Sequence, residues 1–125
     1  MGTAVTNRTI SFGAQPLYPA GIDGTAPGPF FPLFLNDVAV PCRQGSQPPN
    51  PNQSGIVFFP GSVPLYKNGQ LVGGIGVSGD GVEQDDLVSA AGATGFAPPL
   101  GIRADQIIVG GARLPFLKFP RNPHD

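Results

Sequence analysis

An α+β fold with a small antiparallel sheet and one main helix is what this 125-residue sequence predicts, and three observations carry the prediction. Two short apolar runs, Val63-Pro64-Leu65-Tyr66 and Leu71 to Val77, flank Lys67-Asn68-Gly69-Gln70. Asn-Gly at the centre of such a link favours a type I′ turn, because both residues tolerate positive φ and the twist of the turn matches that of the strands. Directly afterwards Asp80 stands three residues before Glu83, the spacing of a capping box, and opens a segment that Gly92 and Gly95 close. No second helix is signalled with comparable force, so one face of the sheet is short of cover.

In chain order, Thr6 to Phe12 reads as a strand, with Ile10 and Phe12 on one face and Thr9 and Ser11 on the other. Pro16 to Pro32 is turn material in which Phe30 and Phe31 are candidate anchors, and Phe34 to Val40 reads as a short strand or an extended strap between prolines. Residues 41–55, PCRQGSQPPNPNQSG, lack apolar periodicity and read as a proline-rich surface loop. Ile56 to Phe59 is wholly apolar and reads as a central strand, which Pro60-Gly61 turns into the hairpin.

The helix places Asp80, Glu83, Asp85 and Asp86 in its first two turns, where the positive end of the dipole favours acid, and Leu87, Val88 and Ala91 form an apolar stripe expected to lie on the sheet. After it, Pro98-Pro99 breaks the chain, Arg103 to Gln106 suits one helical turn, and Ile107-Ile108-Val109 suits a strand. Residues 114–125 read as an extended tail whose spaced aromatic residues dock on a neighbour.

Composition excludes several classes. The net charge is -1 and 12% of residues are charged, which leaves no basic footprint for nucleic acid and no polybasic patch for a membrane surface. No apolar run has the length of a transmembrane helix. Cys42 is the single cysteine, so neither an internal disulfide nor a cysteine-held metal centre is available. The 19 glycines and 16 prolines point to long irregular segments around a small core, since 40% apolar residues are too many for simple disorder.

Gly74-x-Gly76-x-x-Gly79 formally matches the dinucleotide fingerprint, but that fingerprint needs a parallel strand before its glycine loop, and the Asn-Gly turn makes this pair antiparallel. Ser78 lacks the spacing of a nucleophile elbow, and no histidine stands near a nucleophile, so no catalytic residues are assigned. Glycine inside a strand marks close approach of backbone or ligand.

The hairpin, the run Gly74-Ile75-Gly76-Val77-Ser78-Gly79 and Glu83-Gln84-Asp85 at the start of a small-residue helix resemble the GlcG/HbpS-like haem-binding proteins, most closely over residues 55 to 96. Asn7-Arg8-Thr9-Ile10 and Leu114 to Pro123 are similar to flanks of longer members. The resemblance implies a profilin-like domain, of which this chain, residues 1–125, is a single partial copy without the opening helix, strand, strand and helix. It implies haem as cofactor and a bacterial origin, with Tyr66, Gly74, Gly76, Ser78 and Gly79 at the ligand.

Candidates for the iron are few. Axial ligands come from histidine, cysteine, methionine or tyrosine. His124 reads first as a solvated terminal residue, Tyr66 as a half-buried strand residue, Cys42 as a loop residue and Met1 as the initiator. Asp80 and Glu83, with Asp86, present oxygens that suit a hard cation, although capping accounts for them as well. The expected function is a tetrapyrrole-binding module with little or no catalysis. The alternative is an assembly protein whose arms and tail bind other copies, as a homo-oligomer, or a separate N-terminal partner chain.

Overall fold

The computed structural model describes residues 2–39 and 56–118, so the proline-rich loop, Cys42, His124 and Met1 lie outside the described residues. The elements run α1 (Asn7–Gly13), α2 (Phe31–Ala39), β1 (Ser62–Lys67), β2 (Gln70–Gly76), α3 (Val82–Gly92), 3₁₀ turns at Leu100–Ile102 and Ala104–Gln106, then β3 (Ile108–Val109) and β4 (Ala112–Arg113). The fold is α+β as expected, and the described residues form three helices and two antiparallel hairpins in place of one main helix and one sheet. None of the helices among the described residues is long and apolar enough to cross a membrane.

The expected strand at Thr6 to Phe12 is helix α1. Four alternating side chains carry little information on their own, and a local hydrogen-bond exchange overrides them. Thr6 caps the helix by accepting from the Thr9 amide at 3.2 Å, and the Thr9 hydroxyl accepts from the Thr6 amide at 3.2 Å. Both hydroxyls spend their protons elsewhere, Thr6 on the Phe116 carbonyl at 2.5 Å and Thr9 on the Pro115 carbonyl at 2.6 Å. One cap therefore also ties the start of the chain to its far end.

Phe34 to Val40, expected to be extended, belongs for the most part to α2. Pro32 sits in the first turn, where an amide has no intrahelical partner to lose. The helix buries none of its residues, and its apolar contacts run through Phe34, whose ring meets Phe58 edge-on at 4.8 Å. Ile56 to Phe59 forms no strand: the segment is irregular, Phe59 is 71% exposed, and its backbone is tied only to side chains among the described residues, the Ile56 amide to Asp37 and the Phe59 carbonyl to the Asn7 amide. Apolar composition alone did not bring the segment onto the edge of a strand.

The central hairpin forms as the sequence predicts. Asn68 and Gly69 take φ of 51° and 76°, and β1 pairs with β2 from Ser62 opposite Gly76 to Lys67 opposite Gln70, with an irregularity at Leu65/Tyr66. Gly61 turns the chain into β1 at φ 128°, where a side chain would be strained and would meet the Val77 carbonyl oxygen 2.4 Å from its Cβ.

Helix α3 corrects two expectations. Its cap is Gly81, in extended conformation and without a side-chain hydrogen bond, so the Asp80–Glu83 capping box is not formed. Glu83 instead pairs with the Lys118 ammonium. The helix also presents the opposite face inward: Asp85, Asp86 and Ser89 are buried, whereas Leu87 and Val88 are 45% and 53% exposed. The physical reason is Arg8, whose guanidinium approaches from α1 and draws the acidic side of α3 into the molecule.

The core joins the two ends of the chain. Ala4, Tyr18, Tyr66, Ala104, Leu114 and Phe116 are its buried members, with Phe12, Ile102, Ile107 and Val109 packed against them. Ala4 forms a parallel bridge with Arg103 between the two 3₁₀ turns, its amide donating to the Ile102 carbonyl and its carbonyl accepting from the Ala104 amide. The segment 114–118, expected to dock on a neighbour, packs into its own core, with Leu114 4% and Phe116 6% exposed. Burial of each such side chain contributes about 1.5–3 kcal/mol, which the short β3–β4 hairpin alone could not gain.

Candidate functional site

Two regions concentrate chemistry, one on the hairpin and one between α1 and the end of the described chain. On the hairpin, β1 is flanked on its outer side by the segment after α3, where the Tyr66 amide donates to the Phe96 carbonyl at 2.8 Å and the Lys67 ammonium lies 5.0 Å from the centre of the Phe96 ring. The outer edge of β2 pairs with nothing among the described residues. Leu71 and Val72 on that strand are 63% and 57% exposed.

Three glycines leave the backbone of β2 bare. A Cβ at Gly73 or Gly76 would meet nothing within 4 Å, and one at Gly74 would meet only the Val63 carbonyl oxygen at 3.7 Å. None of the three has positive φ. Neither packing within the described residues nor backbone conformation calls for glycine here. Ile75, by contrast, faces α3, since a side chain at Gly92 would collide with its Cδ1 at 2.9 Å.

The sequence-predicted residues divide sharply by burial. Gly74, Gly76, Ser78, Gly79 and Asp80 are exposed and lie along β2 and the link to α3. Tyr66 is 8% exposed and belongs to the core cluster that also holds Tyr18. Glu83 is exposed but engaged with Lys118, and Asp86, third member of the proposed oxygen cluster, is fully buried and turned to Arg8. Among the described residues, no three of His, Cys, Asp and Glu converge in a group that could hold a metal ion.

The second region was not legible in the sequence. Asp86 Oδ2 accepts from Arg8 Nε at 2.6 Å and from the Lys118 amide at 2.8 Å, so one carboxylate oxygen fastens α1, α3 and the terminal segment together. Arg8 Nη2 and Asp86 Oδ1 are buried without partners, and they are the matching donor and acceptor of a two-pronged ion pair that is only half closed. Beside this junction, Arg8, Ser11, Phe12, Gln15, Pro115, Leu117 and Lys118 line a cleft of about 330 Å³. A partner 78 positions away leaves no local pattern; the one available hint was an arginine with no other charged side chain before Asp23.

Burial also acts on Tyr18. Its hydroxyl is sealed in the core without a hydrogen-bond partner, and desolvation raises its pKa above the ordinary tyrosine value.

Comparison with known proteins bears on the first region. The family model described as haem degrading protein HbpS-like matches residues 34–94, just under half of the chain. A Citrobacter freundii protein, described as an uncharacterized 15.0 kDa protein in the dhaT-dhaS intergenic region, is 50% identical over 38 residues, which are 30% of this chain and 27% of that protein. The match thus spans about a quarter of that relative's length. No solved structure gives a match.

Proposed function

We propose, from the premise that residues 34–94 are an HbpS-like segment, that the chain is a module binding haem or a related tetrapyrrole on the open surface of the β1–β2 hairpin, with little or no catalysis of its own. The observation that carries this reading is the bare backbone of β2 at Gly74 and Gly76, which share the strand face opposite Ile75. A flat apolar ring system gains contact with peptide planes only where no Cβ holds it off. Leu71 and Val72 on the same strand supply exposed apolar surface around that strip.

Tyr66 is enclosed by the core, and this reading does not use it as the iron ligand. Affinity then rests on the ring face, with no axial ligand assigned among the described residues. Haem and iron-free protoporphyrin are therefore expected to bind with affinities within about threefold of each other, since neither gains an iron–protein bond from Tyr66. Gly76→Val, which fits the space at that position, is expected to keep the unfolding midpoint and weaken haem binding by about tenfold, the effect of roughly 1.4 kcal/mol of lost contact. A Soret band unchanged by the protein, or an unaffected Gly76→Val variant, would sink the reading.

One observation favours a second reading, an assembly protein. The outer edge of β2 carries neither proline nor charge, the devices that normally keep a free edge from pairing with another chain. Under this reading β2 pairs with another copy or with a partner chain that supplies the opening part of the domain. Native mass of the purified protein separates the readings: a monomer that takes up haem supports the first, and a defined assembly without pigment binding supports the second.

A further inference from the structure

We infer that the cleft between α1 and residues 115–118 is a binding site for a small organic carboxylate with a flat apolar body. None of its lining residues falls within the family-matched segment, so the site is separate from the hairpin surface. Its volume of about 330 Å³ is at the lower end of the range of small-molecule sites.

The chemistry of the lining selects the ligand. Phe12, Pro115 and Leu117 form apolar walls, and Arg8 and Lys118 are its charged members, both cationic. The two acids of the region stand on α3 outside the lining: Asp86 behind Arg8, and Glu83 against the Lys118 ammonium.

Arg8 retains a donor for the ligand. Its Nε is committed to Asp86, its Nη2 is sealed, and its side chain is still 18% exposed. Among the described residues Nη1 makes no hydrogen bond or ion pair, which leaves it as the guanidinium nitrogen available to a ligand. Asp86 pins the guanidinium in place, which removes most of the ordering cost a free arginine would incur on binding. Ser11 adds a hydroxyl donor at the same wall, and the Gln15 amide nitrogen is held on the Ser11 carbonyl at 3.1 Å, leaving the side-chain oxygen of Gln15 as an acceptor. Carboxylate to Arg8 and Ser11, ring to Phe12 and Leu117, is the arrangement this lining accepts.

The test uses the full chain and two probes of nearly equal shape, benzoate and benzamide, followed by amide NMR. Benzoate is expected to give saturable shifts in residues 8–15 and 115–118, with benzamide about tenfold weaker because it lacks the charge that Arg8 recognises. Raising salt to about 0.5 M is expected to weaken benzoate several-fold and leave benzamide unchanged. Ser11→Phe, which fills the cleft without touching the Arg8–Asp86 pair, is expected to abolish the shifts. Should that variant not fold, wild-type protein decides: nuclear Overhauser contacts from the benzoate ring to Phe12 and Leu117 support the site. Equal affinity of the two probes, shifts located elsewhere, or undiminished binding by folded Ser11→Phe would overturn it.

Discussion

Arg8 Nε and Asp86 Oδ2 meet at 2.6 Å, and through this contact a seven-residue helix near the start of the chain fixes the orientation of α3. Asp86 is completely buried, and the Lys118 amide takes up the same oxygen. Removing the carboxylate strands a guanidinium that is mostly withdrawn from water. Asp86→Ala is therefore expected to cost about 3–5 kcal/mol, and the double change Arg8→Met/Asp86→Leu markedly less, because it leaves no unpaired charge. Urea unfolding of the three proteins checks this; an equal loss in single and double variants would contradict it.

Thr6 and Thr9 form the other tie between the ends. Thr9→Val keeps the shape but gives up the reciprocal cap and the bond to the Pro115 carbonyl. The expected loss is about 1–3 kcal/mol. Combined with Thr6→Val, the losses should fall short of additivity, since the two residues share one cap. A thermodynamic cycle on the folded protein reads this directly.

Tyr18 gives a prediction in the opposite direction. Its buried hydroxyl has no partner, so Tyr18→Phe is expected to be neutral or to stabilise by about 1–3 kcal/mol, the desolvation cost of an unpaired polar group. The same burial sets a pH dependence. The folded phenol holds its proton to higher pH than the unfolded one, so the folded state binds more protons once pH exceeds about 10, and stability falls as pH rises through that range. Below it, this contribution is fully present. Unfolding curves at rising alkaline pH should show a decline in the wild type that is shallower in Tyr18→Phe.

The inverted face of α3 is tested by a pair of substitutions. Leu87→Lys replaces a residue that is 45% exposed and is expected to change the stability of the isolated chain by no more than about 0.5 kcal/mol. Ser89→Leu forces a larger group into a fully buried position and removes the hydroxyl that donates to the Asp86 carbonyl, at a cost of about 1–3 kcal/mol. Thermal unfolding in the opposite order, with Leu87→Lys the damaging change, would mean that the apolar stripe faces inward after all.

What could be read from sequence was what local chemistry decides. Asn68-Gly69 fixed the hairpin, Gly92 marked the end of α3, and Arg103 to Gln106 and Ile107 to Val109 gave a 3₁₀ turn and a strand close to where they lie. Failures came where a distant partner outweighs a local pattern. Leu87, Val88 and Ala91 form an apolar stripe by spacing, yet one arginine across the fold turns Asp85, Asp86 and Ser89 inward instead. The pattern of Thr6 to Phe12 suits a strand until Thr6 and Thr9 exchange hydrogen bonds and reach Phe116 and Pro115. On the candidate surface, the glycines of β2 were visible as letters; that they border open space was not. The cleft beside Arg8 had no signature, because its two walls lie about a hundred residues apart.

The seam between Ala4 and Ala104, together with the hydroxyls of Thr6 and Thr9 on the last described turn, has a bearing on synthesis. A ribosome delivers α1 more than a hundred residues before Phe116, so Ala4, Tyr18 and Tyr66 wait exposed while the partners that cover them are still being translated. The hairpin, closed by its own turn, can form during that interval, but the core cannot. Pairings of such high sequence separation fold slowly and leave apolar surface open to aggregation meanwhile. For this chain residues 114–118 act as the latch.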